Sequence, residues 1–435
     1  MAEDSGIIVG LDLGTSKVAV AVAERTPENP EAVQIIGIGQ APSRGIRKGM
    51  IINLEQAVNS VSDAIADAES IMGGLKISSA AVAFSGLEVQ CRVLHGKISL
   101  GRTPRVILPA DVEQVIEAAL KELQIGADRC VIHAIPVKYA IDGRSGVENP
   151  IDMTGTQLEV EVTALVIPVS VAQNVVNCIE SAGVKVDALV LKPVAEALGT
   201  LNNDELAIGA SLVSVGGGTT SVSVCADGHL LYAAEIPVGG DHITNDLACV
   251  KKIPFASAEE LKKQISMDPG EKPSGTVDVE VSGRKCELDR AEMSEIIGSR
   301  LDELFTDSIV PGLQKLQEAG LQTDVILTGG VARTPGFVNL AESYLKMPVR
   351  IGEPVLRRQM QQGRNDCRYC SVCGIIIYLM EKRKNPYSYM NAPMTLFRSA
   401  ASAGRSSSIK RPRRPSQSLS RTIVRTLKDV FKGLF

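Results

Sequence analysis

Asp12-Leu13-Gly14-Thr15-Ser16-Lys17 separates two apolar runs, Ile7-Ile8-Val9-Gly10-Leu11 and Val18-Ala19-Val20-Ala21-Val22. Much later in the chain, Ser214-Val215-Gly216-Gly217-Gly218-Thr219-Thr220 stands in the same way between Ala210-Ser211-Leu212-Val213 and Val222-Ser223-Val224. Short β-branched runs broken by glycine read as strands joined by hairpins. Glycine lets a backbone approach an anion closely, exposed turn amides form an anion-binding concavity, and Thr and Ser hydroxyls add donors. The chain thus reads as one phosphate-holding hairpin built twice. Gly14, Thr15, Ser16 and Lys17 serve one turn, and Gly216, Gly217, Gly218, Thr219 and Thr220 serve the other. Either turn alone is compatible with an ordinary glycine hairpin.

A third signal adds specificity. Asp324-Val325-Ile326-Leu327-Thr328-Gly329-Gly330-Val331-Ala332 is an apolar strand ending in a glycine pair before a helical pattern, a junction at which a base or ribose can rest against Gly329 and Gly330. The order phosphate, phosphate, adenosine resembles the actin, heat-shock-chaperone and sugar-kinase superfamily of ATPases. Pro42-Ser43-Arg44-Gly45-Ile46-Arg47-Lys48-Gly49, the segment Ile77-Ser78-Ser79 to Phe84-Ser85-Gly86, and His133-Ala134-Ile135-Pro136-Val137-Lys138-Tyr139 narrow the resemblance to the bacterial cell-division protein FtsA family. It extends from about Ile7 to about Tyr378 and returns at the C-terminus.

The resemblance implies an α/β, actin-like two-lobe fold with duplicated ribonuclease-H-like cores and small inserted subdomains, holding ATP and Mg2+ between the lobes. Residues 1–86 and 165–197 would form the first core, with a small α/β subdomain, 87–164, inserted for polymer contacts and for later division proteins. Residues 198–235 and 302–385 would form the second core, with a second small subdomain at 236–301. Within the latter, Ser257 and Glu260 have capping-box spacing. Glu259 and Lys262 share a helix face and are expected at the ribose and adenine. The implied partner is the tubulin-like FtsZ, whose C-terminal tail would meet Arg300 on the helix from Met293 to Phe305, since a guanidinium suits carboxylates.

Three positions depart from the family's pattern. Ser214 and Ser221 stand where Asp is usual, and Lys192 stands where many members carry Glu. Magnesium is commonly held through one or two carboxylates together with phosphates. Asp12 is left alone to position it through water, so ATP is expected to bind with slow turnover or none, unless Asp241 or Asp246 substitutes. An active ATPase or sugar-kinase-like phosphotransferase of the same fold is the alternative, but it needs a base beside the second turn.

Charge is divided unevenly. The chain of 435 residues has a net charge of −4, whereas residues 398–435 carry 10 Lys or Arg and 1 acid, +9, leaving −13 for the rest. Within that tail Leu419, Ile423, Val424, Leu427, Val430, Phe431, Leu434 and Phe435 recur at helical spacing opposite Arg421, Arg425, Lys428, Asp429 and Lys432. This predicts an amphipathic helix over 419–435, after a basic Ser/Pro-rich, disordered linker at 386–418. A basic helix with a wide apolar face suits the surface of an anionic membrane better than its own core or nucleic acid, for which interleaved aromatics are missing. The acidic start reads against a secretory leader, and no apolar run nears the roughly 20 residues of a spanning helix. Cys367, Cys370 and Cys373 have C-x2-C-x2-C spacing without a following fourth ligand and lead into an apolar helix, where buried packing is expected rather than metal. His133 is expected to be a packed core or turn residue.

Overall fold

The computed structural model describes residues 6–397 apart from 27–28, 272, 282–283, 319–322 and 395. The linker from 398 onward and the amphipathic segment 419–435, with Ile423, Val424, Leu427, Lys428, Val430, Phe431, Lys432, Leu434 and Phe435, lie outside the described residues.

The first apolar pair forms β1 (Ile7–Leu13) and β2 (Lys17–Thr26), antiparallel and registered from Ile7↔Glu24 to Leu13↔Val18. β3 (Asn29–Pro42) continues the meander. Helix α1 (Leu54–Ile71) follows, capped by the Asn53 side chain, which accepts from the Gln56 amide. It lies so close to the sheet that a Cβ on Gly39 would stand 2.3 Å from the Ala68 nitrogen. β4 (Ser79–Phe84) then pairs in parallel with β1.

The inserted subdomain is a second, smaller packing unit. Its strands β5 (Gln90–Ser99), β6 (Arg129–Ile141), β7 (Arg144–Val147) and β8 (Gln157–Pro168) form a sheet in the order β7-β6-β8-β5, under helix α2 (Pro109–Lys121). Proline opens α2, and Asp111 closes its first turn by accepting from the Leu108 amide at 2.8 Å and from both terminal nitrogens of Arg105. The chain returns through α3 (Val169–Ser181) to β9 (Lys185–Leu191), which pairs in parallel with β4, and then enters α4 (Lys192–Thr200). The first sheet is therefore ordered β9-β4-β1-β2-β3.

The second lobe repeats this topology. β10 (Ala210–Val215), β11 (Thr220–Ala226) and β12 (His229–Ile236) form the antiparallel meander. Its small subdomain comprises α5 (Gly240–Lys251), α6 (Phe255–Lys262), the hairpin β13 (Thr276–Val281) and β14 (Arg284–Asp289), and α7 (Arg290–Leu304). β15 (Asp324–Thr328) and β16 (Val349–Ile351) then add in parallel, with α8 (Phe337–Leu345) between them, giving β12-β11-β10-β15-β16. Two sheets with one strand order confirm the duplication read from the glycine turns. Leucine, isoleucine, valine and alanine fill three clusters: the first runs through the first lobe and across to Ala210, Leu212, Cys225 and Ile326 of the second, another fills the rest of the second lobe with its small subdomain, and the third lies in the insert.

Three sequence expectations are corrected. α6 begins at Phe255 after Pro254, so Ser257 lies inside the helix and forms no capping box. The final helix α9 (Cys370–Lys384), assigned to the second lobe with 302–385, packs Val372, Ile375, Ile376 and Tyr378 into the first core, and only Cys367 and Cys370 reach the second. Its apolar residues encircle it, so it is covered from both sides. The stretch 386–397, assigned to the linker, folds back on the first lobe. Met390 exchanges backbone bonds with Ala134 at 2.7 and 3.0 Å, Asn391 donates to the Leu189 carbonyl at 3.0 Å, and Phe397 is buried.

α4 and α9 cross with no side chain between them. A Cβ on Gly374 would lie 1.7 Å from the Ala195 carbonyl oxygen, and one on Gly199 would lie 1.9 Å from that of Cys370. The small residues at the head of α9 serve this approach. Cys367, Cys370 and Cys373 are buried, and burial pushes their thiols up, to about 11, 12 and 12. His133 is likewise a core residue: it accepts from the Leu191 amide at 3.0 Å, and burial pulls it down to about 3.

Candidate functional site

The two glycine turns face each other across the lobe boundary. Each is closed in the same way, with the Gly14 amide donating to the Lys17 carbonyl at 3.1 Å and the Gly216 amide donating to the Thr219 carbonyl at 2.9 Å. Gly14–Ser16 and Gly216–Thr219 lie beyond the last rungs of their ladders, Leu13↔Val18 and Val215↔Thr220. The turns touch, since a Cβ on Gly217 would meet the Ser16 hydroxyl at 2.0 Å and one on Gly218 that of Thr15 at 2.5 Å. The Gly49 amide donates to Thr15 Oγ1 at 3.0 Å within the first lobe, and the hydroxyls of Ser85 and Thr219, 3.2 Å apart, tie one lobe to the other.

Between the turns lies a cleft of about 130 Å³, lined by both turns, Asp12, Lys192, Glu196, Ser214, Gly329, Gly330, Cys367 and Arg368. Small-molecule sites usually measure about 300–1,000 Å³, so the cleft in this conformation is narrower than a site of nucleotide size. A larger depression, about 560 Å³, lies at the opposite end of β1 around Ile7, Val9 and Ile77, away from the turns. At the third glycine signal, Gly329 has φ +88° and packs on Val215, whereas Gly330 faces open space, with nothing within 4 Å of a Cβ placed there. Thr328 donates to the Cys367 carbonyl at 3.0 Å, and the Cys367 thiol to the Gly329 carbonyl at 3.3 Å. Cys367 thus holds Gly329 and the end of β15 in place, a role the spacing of the cysteines did not suggest.

The departures form one network. Lys192 Nζ lies 3.1 Å from Asp12 Oδ1, both groups being largely buried. One turn further along α4, Glu196 accepts from Ser214 at 2.9 Å and from Ser221 with its other oxygen. Burial raises Glu196 to about 7, against the pull of Lys192 and both serines. Burial, reinforced by Glu196, raises the neighbouring Glu235 to about 8. Burial also works against the Lys192 ammonium, but Asp12 and Glu196 more than offset it and keep the pKa above the ordinary lysine value. Sequence reading missed Glu196, although its i,i+4 spacing from Lys192 was available as a signal.

Other expected site residues have partners within the protein. Thr220 donates to the Val238 carbonyl at 2.8 Å, which fixes the second turn and takes that hydroxyl away from an anion. Lys262, buried at 4% exposure, donates to the Gly240 carbonyl, Thr244 and Glu259 at 3.1, 2.8 and 2.5 Å. This ties α6 to the start of α5, beside Val331. Arg300 donates to both oxygens of Asp246, at 2.7 and 3.2 Å, and to Glu303, so neither it nor Asp246 is free. Asp241 stands beside the second turn, 3.1 Å from a Cβ on Gly217. Lys17 is the reverse case. Its Nζ is buried with no hydrogen-bond partner among the described residues, 3.2 Å above the Tyr369 ring, and burial lowers it to about 7. An anion arriving in the cleft would favour its protonated form and give it a partner.

Two ribonuclease-H-like lobes meeting at paired glycine turns define an actin-like protein. Solved structures share this fold: the PilM-PilN type IV pilus biogenesis complex (TM-score 0.61, 14% identity, covering 85% of this chain and 98% of that one) and MreB 5 of Spiroplasma citri bound to AMPPNP (0.52, 14%, 88% and 99%). The family model for cell division protein FtsA matches residues 211–374, and that for the SHS2 domain inserted in FtsA matches 86–166. Among curated proteins, the cell division proteins FtsA of Borreliella burgdorferi and Pseudomonas aeruginosa are 37% and 35% identical to it, covering 87% and 88% of this chain and 92% and 91% of their own. That of Escherichia coli K12 is 32% identical, covering 88% and 93%. The chain belongs to the FtsA family of cell-division proteins.

A magnesium ion does not fit the residues present. Asp12 is engaged by Lys192 and Glu196 accepts from two serines, so neither of the carboxylates lining the cleft is free to hold the ion beside the phosphates. A metal placed about 4 Å from the Lys192 ammonium would meet a repulsion of about 4 kcal/mol per unit charge at an effective dielectric of 20.

Proposed function

We propose that this protein is an actin-like scaffold that binds ATP between its lobes, assembles into filaments, and ties FtsZ to the inner face of the cytoplasmic membrane at the division site. The observation that carries the nucleotide reading is the apposed pair of turns beneath the unsatisfied Lys17, with Gly330 opening on empty space. Adenosine would rest at Gly329 and Gly330, phosphates at the turns around Gly14 and Gly217, and Glu259 with Lys262 would brace the ribose side. Exposed Met50, Ile52 and Leu54, and Val250 and Phe255 on the second small subdomain, offer apolar surface for self-association. The FtsZ tail would dock near α7, where its acidic groups would have to displace Asp246 from Arg300. Later division proteins would meet the inserted subdomain.

The tail supplies the membrane contact in this reading, with Phe431 and Leu427 among acyl chains. Each buried apolar side chain contributes about 1.5–3 kcal/mol, so Leu427→Glu with Phe431→Glu should weaken binding by more than about a hundredfold. Co-sedimentation of the full chain with anionic vesicles measures this, and raised salt should weaken wild-type binding through screening. Undiminished co-sedimentation of the double variant would remove the tail from the membrane contact.

A further inference from the structure

We infer that this chain holds its nucleotide without a divalent cation, the Lys192 ammonium supplying from within the protein the positive charge that a metal ion ordinarily brings to the phosphates. The inference rests on the nucleotide reading of the cleft. Three observations converge on it.

The first is the chemistry of the exchanged residues. Where the family resemblance expects three acids, the chain carries Ser214, Ser221 and Lys192. All three changes move the site in one direction, away from cation binding and toward anion binding. Magnesium prefers hard, charged oxygen ligands, and a serine hydroxyl is neutral.

The second is where these groups point. The two serines do not face an open coordination site, since both donate to Glu196. That arrangement gives each oxygen of Glu196 a hydroxyl donor. Lys192 reaches from the start of α4 to the end of β1, where it pairs with Asp12, and its Nζ stands 3.5 Å from a Cβ built on Gly14. It therefore lies against the first turn, where a phosphate cradled by that turn would rest.

The third is the balance of charge around the cleft. Its lining includes Lys192, Lys17, whose pKa burial lowers to about 7, and Arg368, which is paired with Asp366, beside two carboxylates, Asp12 and Glu196. Lys17 brings a buried amine with no hydrogen-bond partner to the same turn, and an arriving anion would favour its protonated form. A polyphosphate entering here meets two lysines and turn amides, with one acid already paired and the other closed in. The charge is preorganised and no metal has to be desolvated.

Calorimetry of ATP and of ADP with the full chain, in EDTA and in millimolar magnesium, tests the inference directly. Wild-type affinity should differ by less than about threefold between the two conditions, a shift too small for a lost ionic contact. Lys192→Gln should weaken binding in EDTA by about tenfold or more, and Lys192→Arg should recover most of it. Combining Lys192→Glu with Ser214→Asp restores two of the expected acids and should make binding depend on magnesium by at least about tenfold. Binding by the wild type only when magnesium is present would overturn the inference and leave the nucleotide reading intact. Absence of binding under both conditions would overturn both. The wild-type comparison needs no variant, so a misfolded substitution cannot obscure the answer.

Discussion

Gly374→Val is expected to destroy the native packing of the two lobes. The new Cβ would stand 1.7 Å from the Ala195 carbonyl oxygen and 2.8 Å from the Gly199 nitrogen, both backbone atoms of α4 that no rotamer change can move. Overpacking a core usually costs about 1–3 kcal/mol. Here helix must separate from helix along the seam joining the cores, so the loss should exceed about 4 kcal/mol, the exceptional range for one substitution. Urea unfolding of the purified variant measures it, or its failure to accumulate as folded protein. Gly298→Ala serves as the contrast: it lies inside α7 with nothing within 4 Å of the added Cβ, and should stabilise by up to about 1 kcal/mol. A Gly374 variant with a wild-type midpoint would show that the crossing is not tight in solution.

Gly330→Glu should abolish nucleotide binding while leaving the fold intact. Gly330 adopts ordinary right-handed helical angles, φ −66° and ψ −36°, and nothing in the protein opposes a side chain there. The side chain would instead fill the space assigned to adenosine and bring a negative charge toward the phosphates. Affinity should fall by at least about a hundredfold, or about 2.7 kcal/mol, read by calorimetry beside an unchanged circular-dichroism melt. Gly329→Glu would give the same loss but less cleanly, because φ +88° and the Val215 carbonyl 2.5 Å from its Cβ add strain of their own. Wild-type affinity in a folded Gly330→Glu protein would move the adenosine elsewhere.

Much of this architecture was legible because its signals are local. A β-branched run, a glycine turn and a second run specify a hairpin without reference to the rest of the chain, and the hairpin occurs twice. The final helix was assigned to the wrong lobe because its apolar residues encircle it, and periodicity cannot say which sheet such a helix joins. Ser257 misled because Pro254 already opens α6 one turn earlier. The charge network was legible only in part. Lys192, Ser214 and Ser221 stood out as departures, yet Glu196 reads in isolation as an ordinary helix former. Its meaning appears only when folding brings it to two serines that follow it by 18 and 25 residues.

The bare crossing of α4 and α9 also determines how the lobes can move. Interdigitated side chains allow packed helices to shear in small steps, whereas backbone seated on backbone at Gly199 and Gly374 has no such steps to take. What remains is rotation about that point, as in a pair of scissors with one rivet. The inserted subdomain reaches across to β12, where Cys91 donates to the Leu231 carbonyl, whereas the second small subdomain starts at the second turn itself, the Gly240 amide donating to the Gly216 carbonyl at 2.9 Å. A change of separation at the turns would therefore be carried directly into the second small subdomain, and would be felt at the insert as a strain on its contact with β12.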